Sequence, residues 1–175
     1  RRLDLGALRD EVDFWFTPPS LELIMGKSEG ETERISREWL GRAGKRWRPL
    51  LTVAAYQALS GTGEGKVPDD LRKVAVAVEC FHKASLIHDD IEDDDSMRYG
   101  EKTMHEAYGV PVALNVGDLL IAEGYRLLAS CRVSAEQRIQ MLAVAADGMR
   151  QLCRGQGAEL CWARQPEPLR SSEVL

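Results

Sequence analysis

The sequence lacks the features that mark several large protein classes. Every apolar run is interrupted by a charge well before the roughly 18 residues that a membrane-spanning helix needs, and no segment has the pattern of a signal peptide. Lysine and arginine number 23 against 28 acidic residues, and the resulting net charge of −5 argues against nonspecific nucleic-acid binding. We therefore expect a cytoplasmic protein with no membrane span and no nucleic-acid partner.

Cysteine pairs of the CxxC type are also absent, which removes the usual spacing of a zinc site or a redox-active disulfide. The four cysteines, Cys80, Cys131, Cys153 and Cys161, lie instead within apolar helical patterns. Free cysteine behaves as a small apolar residue in such positions. We expect all four to be structural thiols in the core.

The alternation of apolar and polar residues that is typical of strands is missing, and a spacing of three and four predicts helices instead. The clearest example runs from Leu71 to the acidic residues at Asp90, and "GTGEGKVPDD" at 61–70 is the clearest linker. The expected fold class is all-α, a helical bundle whose functional site lies between facing helices. The other predicted helices are 20–40, 49–60, 110–130 and 135–163.

An acidic cluster, "DDIEDDD" at 89–95, ends the helix that begins at Leu71. Asp89 and Asp93 are four residues apart and Asp90 and Asp93 three apart, so their carboxylates can converge on one helix face. Hard oxygen ligands without histidine or cysteine suit Mg²⁺, with Mn²⁺ as a second choice, and Mg²⁺ often shares its carboxylates with substrate phosphates. A solvated acidic helix end is the alternative. A calcium loop is excluded because Asp95 stands where that loop needs glycine.

His82 precedes Asp89 by seven residues, which places it on the same helix face about 10 Å away along the axis. Ala84 and Ser85 lie between them and are small, so we expect an apolar groove bordered by polar chemistry at both ends. A purely structural hydrogen bond is the alternative role for the histidine.

A basic cluster precedes the helix predicted at 49–60. In "GKRWRPLL", Lys45 and Arg48 stand beside Pro49, a residue that is tolerated in the first turn of a helix. Unsatisfied N–H groups at that turn, a lysine point charge and an arginine clamp together suit a diphosphate. Ordinary solvated basic residues are the alternative, and we expect Trp47 to contribute packing rather than ligand stacking.

Taken in order, "GKRWR", "FHKASLIHDD", "DDIEDDDSMRYG", "GEKTMH" and "GQGAEL" resemble motifs of the trans-type polyprenyl diphosphate synthases, over about residues 40 to 175. The resemblance implies an all-α fold of the isoprenoid synthase type, a helical bundle around a central cavity, and a homodimer. It implies a Mg²⁺-dependent prenyltransferase that condenses isopentenyl diphosphate with an allylic diphosphate. The product would be a longer linear trans-polyprenyl diphosphate.

The same resemblance implies roles for individual residues. Asp89 and Asp93 would hold the Mg²⁺ ions that bridge the allylic diphosphate. Asp90 would support them, and Arg98 would contact the diphosphate oxygens. Lys45, Arg48 and His82 would bind isopentenyl diphosphate, and Gln156 would line the cavity. The small residues Ala84 and Ser85 would allow a product of twenty carbons or more.

Two departures from the resembled family bear on function. Arg98-Tyr99 replaces a pair of arginines, so one diphosphate contact is lost or replaced by a phenolic hydroxyl. A second aspartate-rich motif does not occur, since Asp69-Asp70 lacks the third aspartate. We therefore expect residues 1–175 to form the N-terminal portion of a single polyprenyl synthetase domain, with its C-terminal half not present in this chain. The alternatives are a non-catalytic or regulatory subunit of a split synthase, a degenerate relative that binds diphosphates without turnover, and a terpene cyclase.

Overall fold

The chain folds as a series of helices with one short hairpin. This computed structural model describes residues 5–42, 44–61 and 67–168. The helices are α1 (Leu5–Trp15), α2 (Pro18–Met25), α3 (Glu31–Gly41), α4 (Trp47–Ser60), α5 (Asp69–Glu92), α6 (Met104–Tyr108), α7 (Val110–Ala129) and α8 (Ala135–Arg164). Between α5 and α6, β1 (Met97–Arg98) pairs antiparallel with β2 (Glu101–Lys102). The all-α prediction is confirmed.

The predicted helices agree with the structure in position, but α1 and α6 were not predicted, and there are three further differences. The segment 20–40 is two helices, because α2 ends at Gly26, whose φ of 91° lies outside the helical region. The hairpin was missed because strands of two residues are too short to show alternation. Of the linker predicted at 61–70, residues 62–66 lie outside the described part, and its last two residues already belong to α5.

Two compact units make up the chain, residues 1–132 and residues 133–175. In the first unit α5 is the central element and packs against α3, α4, α6 and, most extensively, α7. In the second unit α8 begins with a capping box, in which Ser134 and Gln137 exchange side-chain-to-backbone hydrogen bonds of 3.1 Å. No helix in the described ranges is long and apolar enough to cross a bilayer.

The cysteine prediction is correct for the first unit only. All four cysteines are free thiols, and Cys80 and Cys131 are buried as expected. Cys153 and Cys161 are exposed, because none of the described residues of α8 is buried. Helical periodicity identifies an apolar face, but it does not show whether anything covers that face.

The close contact of α5 with α7 depends on two glycines. Gly124 lies beneath the ring of Phe81, where an added Cβ would fall 2.7 Å from ring carbons, and Gly117 lies still closer beneath the imidazole of His88. Since residue numbers rise along one helix as they fall along the other, α5 and α7 are antiparallel. Each glycine removes the side chain that would otherwise hold the two helices apart.

Replacing Gly124 with alanine should destabilise the protein, because the new methyl group would meet the Phe81 ring at 2.7 Å and force the helices apart. We expect Gly124→Ala to lower the free energy of unfolding by about 1–3 kcal/mol, measured by urea denaturation. Gly148→Ala is the matched control, since no atom lies within 4 Å of its added Cβ in α8. It should leave stability unchanged or raise it by about 0.5–1 kcal/mol. Equal losses in the two variants would contradict this account.

Candidate active site

The carboxylates at the C-terminal end of α5 differ in exposure. The N–H of Asp93 donates to the carbonyl of Asp89 at 2.9 Å, so the predicted four-residue helical spacing is present. The side chain of Asp89 is 38% exposed and Asp93 is exposed, whereas the side chain of Asp90 is fully buried. The helix therefore presents two carboxylates to solvent and directs the one between them into the interior.

Arg98 joins two of these aspartates. Its Nε donates to Oδ1 of Asp90 at 2.5 Å, and its Nη2 donates to Oδ2 of Asp89 at 3.1 Å. Burial raises the pKa of Asp90 above its usual value, and the hydrogen bond from Arg98 opposes that rise. Burial lowers the pKa of Arg98, but the hydrogen bond and charge of Asp90 outweigh burial and leave that pKa raised. One guanidinium thus compensates a buried carboxylate and orients an exposed one.

The hairpin determines where Arg98 lies. Its turn residues, Tyr99 and Gly100, have φ values of 54° and 82°, the left-handed pair that defines a type I′ turn. Buried Thr103 closes the preceding loop, since its Oγ1 donates to the carbonyl of Asp95 at 2.8 Å. Tyr99 is 72% exposed and adopts a conformation that glycine or asparagine adopts more readily. The backbone of the turn, rather than packing of the tyrosine ring, holds Arg98 beside α5.

The basic cluster lies at the start of α4 with Pro49 in the first turn, as predicted. Lys45 is exposed, whereas half-buried Arg48 donates to Nε2 of His82 on α5 at 3.1 Å. The Arg48 guanidinium also lies 4.4 Å from the ring centroid of Trp47, which is itself 51% exposed. The tryptophan therefore packs against Arg48 rather than within the core.

His82 is uncharged at neutral pH. Burial lowers its pKa to about 4, and the nearby positive charges of Arg48, Lys83 and Arg98 act in the same direction. Because a guanidinium only donates, Nε2 accepts from Arg48 and the ring proton resides on Nδ1. His82 thus orients Arg48, and it also borders the candidate site.

Arg46 has a larger structural role than its place in the basic cluster indicates. Its buried guanidinium donates to the carbonyls of Leu40, Gly41 and Arg42 at 3.2, 3.0 and 2.9 Å, where α3 ends. It also lies 3.8 Å from the buried carboxylate of Glu79 on α5. Burial raises the pKa of Glu79, and the charge of Arg46 opposes this. Arg46 therefore ties the loop that carries Lys45 to both α3 and α5.

Sequence reasoning also missed Glu79 and Lys83 as buried charges. Both lie on the buried face of α5, in a run of positions four residues apart whose other members are apolar. Charged residues within such a run are the sequence signal that identifies them, since a charge is seldom fully buried unless it is paired. The other buried members of the run are Leu71, Ala75 and Ile87.

The structure brings together only some of the predicted site residues. Asp89, Asp90 and Arg98 form one contacting group, and Arg48 with His82 forms another. The two residues predicted to govern product length differ in exposure, since Ala84 is fully buried and Ser85 is half-buried with its hydroxyl donating to the His82 carbonyl at 2.8 Å. Gln156 belongs to α8 in the second unit.

The carboxylate donors suit a magnesium ion that is shared with a substrate. Among the described residues, no three histidine, cysteine or carboxylate side chains form a ready-made metal site. Mg²⁺ commonly takes only one or two protein carboxylates and completes its shell with water and substrate phosphates, and exposed Asp89 and Asp93 can supply those two. Buried Oδ2 of Asp90 accepts no hydrogen bond within the described ranges, which leaves an unsatisfied acceptor next to them.

Comparison with known proteins gives a consistent set of relatives. The polyprenyl synthetase family model matches residues 29–173. A geranylgeranyl pyrophosphate synthase of Geoglobus acetivorans is 34% identical over 88% of this chain and 46% of its own length. A farnesyl diphosphate synthase of Bacillus subtilis is 36% identical over 69% of this chain and 42% of its own length. The chain thus spans about half the length of the curated relatives it matches.

Solved structures give the same result for the fold. The geranylgeranyl pyrophosphate synthetase of Geoglobus acetivorans superposes with a TM-score of 0.80 at 28% identity, over 97% of this chain and 52% of that one. An FPP/GFPP synthase from Zymomonas mobilis has a TM-score of 0.80 at 25% identity, over 98% of this chain and 62% of that one.

The lowered pKa of His82 predicts a pH dependence of stability. The unfolded histidine has a pKa of about 6.5 and the folded one about 4, so between these values only the unfolded state binds the proton. The contribution of neutral His82 to the free energy of unfolding is complete above pH 6.5 and is lost as the pH falls toward 4.

We expect the free energy of unfolding to fall more steeply over that interval in the unaltered protein than in His82→Gln. The difference should be on the order of 1 kcal/mol, because partial exposure of the ring reduces the effect. Urea denaturation at each pH measures it. Parallel pH profiles for the two proteins would contradict the assignment of a neutral His82.

Proposed function

The chain belongs to the polyprenyl synthetase family, and on that premise we propose that it carries part of the site of a Mg²⁺-dependent prenyltransferase. The proposed reaction condenses isopentenyl diphosphate with an allylic diphosphate to give a longer linear trans-polyprenyl diphosphate. The observation that carries the proposal is Arg98, which is held between buried Asp90 and exposed Asp89. This contact places a guanidinium and a carboxylate together at the exposed end of α5, where a metal-bound diphosphate would need both.

The proposal concerns the natural polypeptide that contains this chain. Because the chain covers 46% of the Geoglobus acetivorans relative, we propose that residues 1–175 form the N-terminal portion of one polyprenyl synthetase domain. A homodimer and a cytoplasmic location belong to the same proposal and rest on the family resemblance.

Asp89 and Asp93 would hold Mg²⁺, which would neutralise charge on the allylic diphosphate and so favour its departure. Arg98 would donate N–H groups to the departing oxygens, where negative charge develops as the allylic carbon–oxygen bond breaks. Asp90 would keep Arg98 in place, since it accepts from the guanidinium and is itself fully buried.

The basic cluster would bind the second diphosphate, with Lys45 as a point charge and Arg48 as a clamp. Because His82 is neutral, it fixes the guanidinium of Arg48 without cancelling the positive charge that a diphosphate would need. The isopentenyl double bond then forms the new carbon–carbon bond, and one proton and one diphosphate are released. We propose that Gln156 lines the central cavity and that the small side chains of Ala84 and Ser85 leave the groove open to a product of twenty carbons or more.

The Arg48–His82 contact favours the synthase over a terpene cyclase, because a cyclase binds one diphosphate and does not need a second basic site. A non-catalytic subunit would bind partners without depending on Asp89. Extension of an allylic primer that depends on Asp89 would therefore support the synthase over both alternatives.

The exposed aspartates should be essential for turnover. We expect Asp89→Asn and Asp93→Asn each to lower kcat by about 100-fold or more, because each substitution removes a metal-binding charge. The assay measures extension of farnesyl diphosphate by labelled isopentenyl diphosphate with Mg²⁺ in the natural polypeptide. Asp94→Asn is the matched control, since Asp94 is exposed with φ 56°, which asparagine tolerates. An unaltered protein that extends no primer would refute the function, and equal losses in all three variants would refute these roles.

Product length should respond to Ser85. A phenyl ring at this half-buried position would occupy space along the face of α5 between His82 and Asp89. We expect Ser85→Phe to shorten the longest product by at least one isopentenyl unit, as measured by chromatography of the dephosphorylated products. Ser85→Ala, which removes the hydroxyl without adding bulk, should leave the product unchanged. An unchanged product from the phenylalanine variant would overturn the assignment.

A further inference from the structure

A small cavity lies between α3, α5 and the hairpin. Its volume is about 210 Å³, several times the ~30 Å³ that a water molecule occupies in the liquid. Three cations, Arg42, Lys83 and Arg98, line it together with one carboxylate, Glu101, which pairs with Arg42 at 3.1 Å. The cavity lining is therefore positively charged. The remaining lining residues are Trp39, Leu86 and Tyr99.

Lys83 is the unusual member of this lining. It is 4% exposed, and its ammonium makes no hydrogen bond or ion pair with any residue that the structure describes. The nearest ring is that of Trp39, with its centroid 5.9 Å from Nζ. Burial lowers the pKa of Lys83, Glu79 opposes this, and the neighbouring arginines add to the lowering. A largely buried cation with no direct partner among the described residues is costly, and an anion bound in the cavity would offset that cost.

The cavity adjoins both proposed diphosphate sites. Nζ of Lys83 lies 3.9 Å from the position that a Cβ at Gly44 would occupy, and Gly44 directly precedes Lys45. Arg98 lines the cavity and also binds Asp90, which follows Lys83 by seven residues, about 10 Å along the helix. Among the described lining residues the one carboxylate, Glu101, is already paired with Arg42, so the cavity suits an anion that arrives without a metal ion.

We propose that Lys83, with Arg42, binds oxygen atoms of the metal-free diphosphate of isopentenyl diphosphate from this cavity and so adds to the charges of Lys45 and Arg48. The inference rests on the proposed function and adds a binding residue to it. Tyr99, at the position where the resembled family has its second arginine, lines the same cavity. Lys83 thus supplies from α5 the charge that the hairpin does not supply at position 99.

The test uses the natural polypeptide and the variants Lys83→Met and Lys83→Gln, which remove the charge with similar volume. We expect each to raise the KM for isopentenyl diphosphate about tenfold or more, as loss of a charge-assisted hydrogen bond should. The KM for the allylic diphosphate should stay within about twofold. Lys102→Met is the matched control, because Lys102 is exposed on the adjacent strand and does not line the cavity; it should change neither constant.

A rescue variant tests the relation to position 99. Adding Tyr99→Arg to Lys83→Met returns a cation to the same cavity, and we expect it to recover most of the lost affinity for isopentenyl diphosphate. A double variant no better than Lys83→Met would overturn the proposed exchange of charge between the two positions.

A second readout, calorimetric binding of inorganic diphosphate without Mg²⁺, separates this inference from the proposed function. If the unaltered protein extends a primer but the Lys83 variants keep both its KM and its diphosphate affinity, the inference is wrong and the function stands. If the unaltered protein extends no primer but binds diphosphate, and the Lys83 variants do not bind it, the proposed function is wrong and the anion site stands. If the Lys83 variants have a lowered Tm but an unchanged affinity for diphosphate, Lys83 only stabilises the charge of Glu79, and the inference is wrong.

Discussion

The structure of the first unit depends on compensating the charged side chains that α5 buries away from water. Glu79, Lys83 and Asp90 are all buried on this helix, and each would be costly if left without compensation. Arg46 approaches Glu79 from the loop before α4, and Arg98 approaches Asp90 from the hairpin. Because these two arginines come from different segments, compensating the charge of one helix also determines where the loop and the hairpin lie.

The same constraint separates the supporting residues from those that reach solvent. Neighbouring aspartates point in different directions on a helix, so Asp90 is buried against Arg98 while Asp89 stays accessible. His82 follows a similar logic, since burial and nearby cations keep it neutral and suited to accept from Arg48. Residues that reach solvent are thus held in place by more buried neighbours, Asp89 by Arg98 and Arg48 by His82.

Local patterns in the sequence predicted what a single helix determines. Periodicity located the long helices, and the spacing of Asp89 and Asp93 is as expected. The roles of Arg46 and Lys83 could not be read in this way, because they depend on contacts between segments far apart in sequence. The burial of Cys153 was predicted wrongly for the same reason, since an apolar pattern does not specify what packs against it. The family resemblance predicted roles for individual residues, whereas the buried charges of α5 and their arginine partners are visible only in the structure.

The two glycines of α7 bear on how firmly the aspartates of α5 are held. Phe81 and His88 occupy the spaces left by Gly124 and Gly117, two helical turns apart on both helices. Sliding α5 along α7 would break both contacts at once, and closely packed interiors resist small continuous displacements. The aspartates are therefore borne by a helix of fixed register, while the hairpin is joined to it through a few hydrogen bonds. Any change in the distance between Arg98 and the aspartates would then come from movement of the hairpin, with α5 as the stationary reference.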